Sequence, residues 1–462
     1  ASSVVVRRRL NGKRLVSRLD PSPAQNAEAA AIHERLQRWH GITRSLLHRH
    51  ALTPFVDLEQ KVRTATAYVL LQRQTDANIT EGLWREAFDR ELTHIAIQLE
   101  QILDMCVEAI RPAASAALHV PIDVSLDVHE ADRCRVTLRW RGRETSATRP
   151  IPITADDVRA AIAVCGQPTA HEHLSVLQSV GRKLFVLLAD DIPGDAYSAA
   201  LAEANRSGAK VAIRLHLANA GHLARAPWEL LHDGKDFLVL QSIAIARSLD
   251  GTSDARATAD EALRLLVTIS SPNDQHALDV EREASLLRDA MGGLELIGRA
   301  SIDVAADGAL DTLRRMLRAA AEAGRPYNAW HFIGHGRFNA ASGQSELAMT
   351  GEGGAAQFVG ESVLRVLFRE HPLRVAVLNA CETAHRPPIG FGAKAVVAMQ
   401  FRISDAAAIV LADEVYSGIA TGAGLVHAIS DVRLTLFCRP GAEWITPILF
   451  LEDEAREPGL LS

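Results

Sequence analysis

The stretch NAWHFIGHGRF, residues 328–338, runs large apolar residues straight into His331, Phe332, Ile333, Gly334, His335 and Gly336. A short, nearly unbroken apolar run that stops at glycine reads as a buried strand of a sheet covered on both faces. Such a strand delivers the histidine that follows it, His335, to an edge of the sheet. A second stretch of the same kind, VAVLNAC (375–381), ends in Cys381. As parallel members of one sheet the two strands would share a carboxyl edge, where chemistry collects in α/β folds. On this reading His335 is placed to meet Cys381.

Outward from these strands the α/β rhythm continues. LRLLVTIS (263–270), LELIG (294–298), AKAVVAMQF (393–401) and ITPILFLE (445–452) read as strands. VEREASLLRDAMG (280–292), ALDTLRRMLRAAAEAG (309–324), ESVLRVLFREH (361–371) and segments within 405–436 read as helices. This alternation predicts an α/β domain over 261–462, a mostly parallel sheet sandwiched by helices. Upstream, VPIDVSLDV (120–128) and CRVTLRWRG (134–142) alternate apolar and polar residues like a hairpin. SGAKVAIRLHL (207–217) follows as a strand, LARAPWELLHD (223–233) as a helical turn and FLVLQSIAIARSL (237–249) as a strand pair. Residues 119–260 are therefore expected to form a β-rich, α+β subdomain. Residues 26–118 show three- and four-residue apolar spacing without an internal repeat, which predicts a helical N-terminal domain behind a basic leader, 1–25.

Composition narrows the function. The chain has 462 residues, 48% apolar and 23% charged, which fits several globular domains and excludes a disordered polymer. No apolar run approaches the roughly 18 residues of a membrane span, and no signal-peptide layout opens the chain, so a cytoplasmic protein without membrane contact is expected. The first residue is Ala1 and not Met, which implies a processed or shortened start. Five cysteines, Cys106, Cys134, Cys165, Cys381 and Cys438, lie scattered without a C-x-x-C pair, which argues against disulfides or a zinc knuckle. His40, His48 and His50 lack ligand spacing, so no metal is expected. Residues 1–50 carry ten Arg or Lys against three acids. A solvated leader explains that head best; nucleic acid or an acidic partner is the rival reading, weakened by the lack of stacking aromatics among Arg7–Arg18.

The Cys/His pair has a chemical logic. A thiol with a pKa near 8.5 is only partly ionised at neutral pH. An adjacent imidazole orients it, takes its proton, or stabilises the thiolate. The N–H groups of Gly336 and Cys381 would form an oxyanion hole for an acyl intermediate. The histidine precedes the cysteine by 46 residues, close to the roughly 50 of caspases.

Six segments in order resemble the CHAT peptidases, a mainly bacterial branch of the caspase and separase group. They are RLHLANAGHLARAPWELLHDGKDFLVL (214–240), LVTISSPNDQHALDVERE (266–283), HFIGHGRF, VLNACETA, AVVAMQFRISDAAAIVLADEVYSGI (395–419) and WITPILF (444–450). The resemblance, over about 120–455, implies a caspase-like catalytic domain preceded by a pseudo-caspase subdomain. It implies His335 as general base, Cys381 as nucleophile, Gly336 as oxyanion donor, and Asn379, Gln400 and Asp405 near the substrate pocket, with no cofactor. It further implies a cysteine endopeptidase acting on a protein substrate of pore-forming or toxin-like kind in bacterial defence or regulated cell death, governed by the helical domain or a partner bound there. ETAHRPPIGFGAK, after Cys381, is shorter than the family's usual loop, and it supports the alternative of a catalytically idle protein-binding scaffold. Other residues have plainer expectations. His331 is a packing neighbour of His335, Trp228 a core residue, Glu229 a structural carboxylate, and Asp405 equally a helix cap. Residues 350–360, TGEGGAAQFVG, read as a hairpin tip and not a nucleotide cradle.

Overall fold

The computed structural model describes residues 6–10, 13–17 and, with gaps, 119–452; the gaps are 131, 168, 190–193, 208, 242, 250–261, most of 277–299, 381–391, 421–423 and 440. In a first compact unit, Ala1–Ile95, β1 (Val6–Leu10) pairs antiparallel with β2 (Lys13–Ser17), inside the stretch expected to be a leader. The helical domain expected at 26–118 lies outside the described residues.

The second unit opens with β3 (His119–Glu130), β4 (Arg133–Trp140) and β5 (Arg143–Pro150). The expected hairpin is β3–β4. β5, RETSATRP, has no large apolar residue and was not legible as a strand; it is an edge whose polar side chains and closing proline resist further pairing. Next come α1 (Ala155–Cys165), α2 (Leu174–Ala189) and α3 (Gly194–Ser207). A capping box starts α1: Thr154 Oγ1 accepts from Asp157 N at 3.1 Å, and Asp157 Oδ2 accepts from Thr154 N at 3.0 Å. Then follow β6 (Lys210–His216) and β7 (Ile243–Ser248). Of the strand pair expected at 237–249 only β7 is a strand; Leu238–Leu240 forms a 3-10 turn that buries Leu238 and Val239.

The third section contains β8 (Leu263–Ile269), β9 (Ala300–Ala305), α4 (Leu310–Glu322) and β10 (Ala329–Ile333). A hairpin sheet follows, of β11 (His335–Asn339), β12 (Gln344–Thr350) and β13 (Ala356–Gly360). The chain then forms α5 (Glu361–Glu370), β14 (Leu373–Asn379), β15 (Ala393–Met399), α6 (Asp405–Ala420), α7 (Gly424–Phe437) and β16 (Pro447–Leu451). Of the strand expected at 294–298 only Glu295 is among the described residues, and it is helical; β9, at Ala300–Ala305, was not expected. An edge strand needs little apolar continuity, so β9 was masked by the more apolar LELIG before it. Glu295 Oε1 accepts from Ile302 N at 3.0 Å and occupies a donor on that strand.

Eleven strands form one sheet, ordered β5-β4-β3-β6-β7-β16-β15-β14-β10-β8-β9. β9, β8, β10, β14 and β15 are mutually parallel, as are β3, β6, β7 and β16, and the two sets meet antiparallel at β15–β16. Their carboxyl ends therefore lie on opposite edges. The strands around this seam read as apolar runs because helices cover both faces. On one face Leu265, Val267, Val375, Val377 and Val397 pack with Val415, Ile429 and Val432 of α6 and α7. On the other, Trp330, Phe332, Ala376, Leu378 and Val396 pack with Leu313 and Leu317 of α4 and Leu364 and Phe368 of α5.

Candidate functional site

Within the half that holds His335, the strand order β9-β8-β10-β14 reverses direction at β8. The loops leaving β8 and β10 therefore diverge, and the crevice between them is where such sheets bind ligands. His335 stands there. β10 ends at Ile333, and Gly334 makes the turn into β11. A Cβ on Gly334 would lie 2.7 Å from Phe332 Cζ and 3.0 Å from Ser270 O, so this close crossing requires glycine. The crossing is tied down on both sides: Ser270 N donates to Ile333 O at 2.8 Å, and Gly334 N to Asn379 O at 3.3 Å.

The His335 ring is half-buried, and its Nε2 lies 2.6 Å from the His276 carbonyl oxygen. A carbonyl only accepts, so Nε2 carries the proton, and the neutral ring keeps its lone pair on Nδ1. An imidazole held in this way is oriented to exchange a proton through Nδ1. In register, Ile333 sits opposite Asn379. Asn379 and Ala380, at the end of β14, are buried at the same edge. Cys381 follows Ala380 in the chain and lies outside the described residues, as do residues 382–391.

The other expected site residues separate into two groups. Gly336, next to His335, is half-buried on β11 opposite Leu347. Asp405 is the exposed first residue of α6; the cap is Ser404, whose Oγ accepts from Ala407 N at 3.3 Å. Gln400, just past β15, is buried, with its carboxamide engaged in a cluster. Its Nε2 donates to Glu229 Oε2 at 2.9 Å and to Ile445 O at 2.6 Å, and its Oε1 accepts from Arg247 Nη2 at 3.3 Å.

Glu229 is the structural carboxylate its motif suggested, fully buried beside the equally buried Trp228. Arg247 Nη2 donates to it at 2.9 Å, and Arg433 pairs with it at 3.7 Å. Burial pulls the Arg433 guanidinium down to about 10, with Glu229 opposing and Arg247 adding to the fall. His331 is a packing residue, buried with Nδ1 2.8 Å from Tyr416 Oη. Residues 351–355 are the turn between β12 and β13, as the glycine-rich stretch suggested. Beyond His335 on β11, Glu346 of β12 accepts from Arg337 and Asn339, both at 2.8 Å. Burial works to raise its carboxyl, and these bonds outweigh burial and hold it below the usual range.

A cleft of about 320 Å³ lined by Ser125, Arg135, Arg139, Ser146, His216 and Asn219 opens at the carboxyl ends of β3 and β6, on the sheet edge away from His335. Sequence reasoning missed one contributor to the site, the His276 carbonyl, because a backbone acceptor leaves no residue-type signal.

The CHAT domain model matches residues 178–443, a span containing β10, β14, His335 and Glu229. A solved structure of the Drosophila initiator caspase Dronc aligns at 10% identity and a TM-score of 0.30, over 46% of this chain and 85% of that one. No curated protein matches the chain.

Proposed function

The chain belongs to the CHAT domain family, of cysteine-peptidase type, and on that premise we propose that it is a cysteine endopeptidase with His335 and Cys381 as its dyad. One observation supports this most: His335, its ring oriented by the His276 carbonyl, stands at the sheet edge where β14 ends, two residues past Ile333. Cys381 is likewise two residues past Asn379, the register partner of Ile333. In the proposed reaction the Cys381 thiol passes its proton to His335 Nδ1, and the thiolate adds to the scissile carbonyl. N–H groups of Gly336 and Cys381 hold the oxyanion. His335 then protonates the leaving amine, and water hydrolyses the thioester with His335 as base. Asn379 flanks the substrate from the end of β14 and Asp405 from the start of α6, and Gln400 braces that rim from inside. The substrate is a protein, of pore-forming or toxin-like kind, cleaved in the bacterial cytoplasm during defence or regulated cell death. Residues 26–118, or a partner bound there, control access.

Labelling with a thiol-reactive peptide electrophile tests the dyad. Modification concentrated at Cys381 and lost in His335→Ala is expected; equal reactivity of Cys381 and Cys438 in both proteins refutes it and leaves a binding scaffold. Deleting residues 1–115 tests the control, since unchanged cleavage of a protein substrate, with and without cell extract, removes it.

A further inference from the structure

The loop that presents the His276 carbonyl is exposed along most of its length. Pro272 is buried, but Ser271, Asn273, Asp274 and His276 face solvent and Gln275 is half-exposed. Apolar packing therefore does little to fix where this carbonyl sits. Hydrogen bonds do that work, two of them made by the side chains of Asn273 and Asp274, and they converge on the 351–355 turn of the β12–β13 hairpin and the first residue after it. Asn273 Nδ2 donates to Gly353 O at 3.2 Å, and Asn273 N to Gly354 O at 2.9 Å. Ala356 N donates to Asp274 Oδ1 at 2.9 Å. The turn is shaped for this contact. Gly353 and Gly354 have φ of +70° and +81°, and a Cβ on Gly354 would come within 3.1 Å of Asn273 Nδ2. At its root the loop is held by Ser270 Oγ, which donates to Ala348 O of β12 at 2.7 Å.

We propose that Asn273 and Asp274 are positioning residues for His335, clamping the loop after β8 onto the β12–β13 turn so that the His276 carbonyl stays on Nε2. The assignment rests on the dyad reading above for its catalytic consequence, but the clamp itself is a statement about loop and ring. The β12–β13 hairpin thus belongs to the working parts of the site. With the clamp open, the ring regains its side-chain torsions and Nδ1 spends less time aimed at the thiol. Misplacement of this kind costs up to about a hundredfold in rate.

The test uses the full chain with ¹⁵N-labelled histidine and the variants Asn273→Ala, Asp274→Ala and Asp274→Asn; Asn at 274 keeps an oxygen for Ala356 N. Two readings are taken. One is the slowly exchanging Nε2–H signal of His335, assigned by its loss in His335→Gln. The other is the rate of Cys381 acylation by a peptide electrophile. The proposal expects both alanine variants to lose the protected signal and to react about tenfold to a hundredfold more slowly at saturating probe, with probe affinity and melting temperature little changed. It expects Asp274→Asn to recover most of both. A protected signal that survives in both alanine variants overturns the clamp, whatever the rates. A wild-type signal that the alanines abolish, in a protein whose Cys381 never reacts, upholds the clamp and refutes the peptidase reading instead.

Discussion

Replacing Glu229 by Gln removes the one carboxylate between two buried guanidiniums while keeping its shape. The acid is fully buried, Arg433 is fully buried and Arg247 is nearly so. In the wild type the carboxylate receives charge-assisted hydrogen bonds from Arg247 Nη2 and Gln400 Nε2, each at 2.9 Å, and faces Arg433 at 3.7 Å. These partners come from β7, α7 and the end of β15, so the cluster spans the seam where the two parallel sets of strands meet. Deleting one member of a buried ionic group leaves the others charged and uncompensated, which costs about 3–5 kcal/mol. Arg433, already lowered to about 10 by burial with Glu229 opposing, loses that opposition. At about 2.1 cal/mol/K per residue over 119–452, the unfolding entropy is roughly 0.7 kcal/mol/K, so a loss of about 4 kcal/mol lowers the melting temperature by about 6 °C. Scanning calorimetry with urea denaturation reads both quantities. The double variant Glu229→Gln/Arg433→Met should recover part of the loss, because it also removes the guanidinium left without its counter-ion. A single-variant loss below about 1 kcal/mol, or strictly additive losses in the pair, would refute the idea of an ionic lock across the seam.

Gly334→Ala should destabilise by roughly 1–3 kcal/mol and lower Cys381 labelling, since its Cβ meets buried Phe332 and the Ser270 carbonyl; wild-type stability and labelling would show that the turn relaxes freely. Burial pushes the Cys134 thiol up to about 11 and Cys165 up to about 12, so iodoacetamide near neutral pH should label exposed Cys438 and leave both untouched in the native protein; mass spectrometry finding Cys165 modified as fast as Cys438 contradicts this. Burial, and after it Lys210, pulls His427 from 6.5 down to about 4, with Asp431 opposing and His119 adding to the fall. On acidification the unfolded chain takes up this proton first, so the stability it contributes is complete above pH 6.5 and declines as pH falls toward 4. His427→Gln should flatten the drop in melting temperature over that range, and an unaltered pH profile argues against it.

The strands nearest the candidate site were legible because a strand buried on both faces must be apolar at nearly every position, and β10, β14 and β15 obey that rule. Glycine at 334 announced the turn that carries His335 because no side chain fits there. The edge strands β5 and β9 escaped, since a strand paired on one side carries a weak apolar signal. The helices of 155–207 escaped although Thr154 and Asp157 spell a capping box.

Long-range pairing lay beyond any local pattern. Gln400 follows an apolar strand at the edge that holds His335, and the family resemblance implies a pocket residue there. Yet its carboxamide is bonded to Glu229, 171 residues away, because β16 lies beside β15 and β7 beside β16. The carbonyl on His335 comes from a residue 59 positions earlier, delivered by a loop that the hairpin turn holds. Apolar patterning is written residue by residue, so one chain segment suffices to reveal a strand. Which polar group meets which depends on the order of strands in the sheet, a property of the assembled chain.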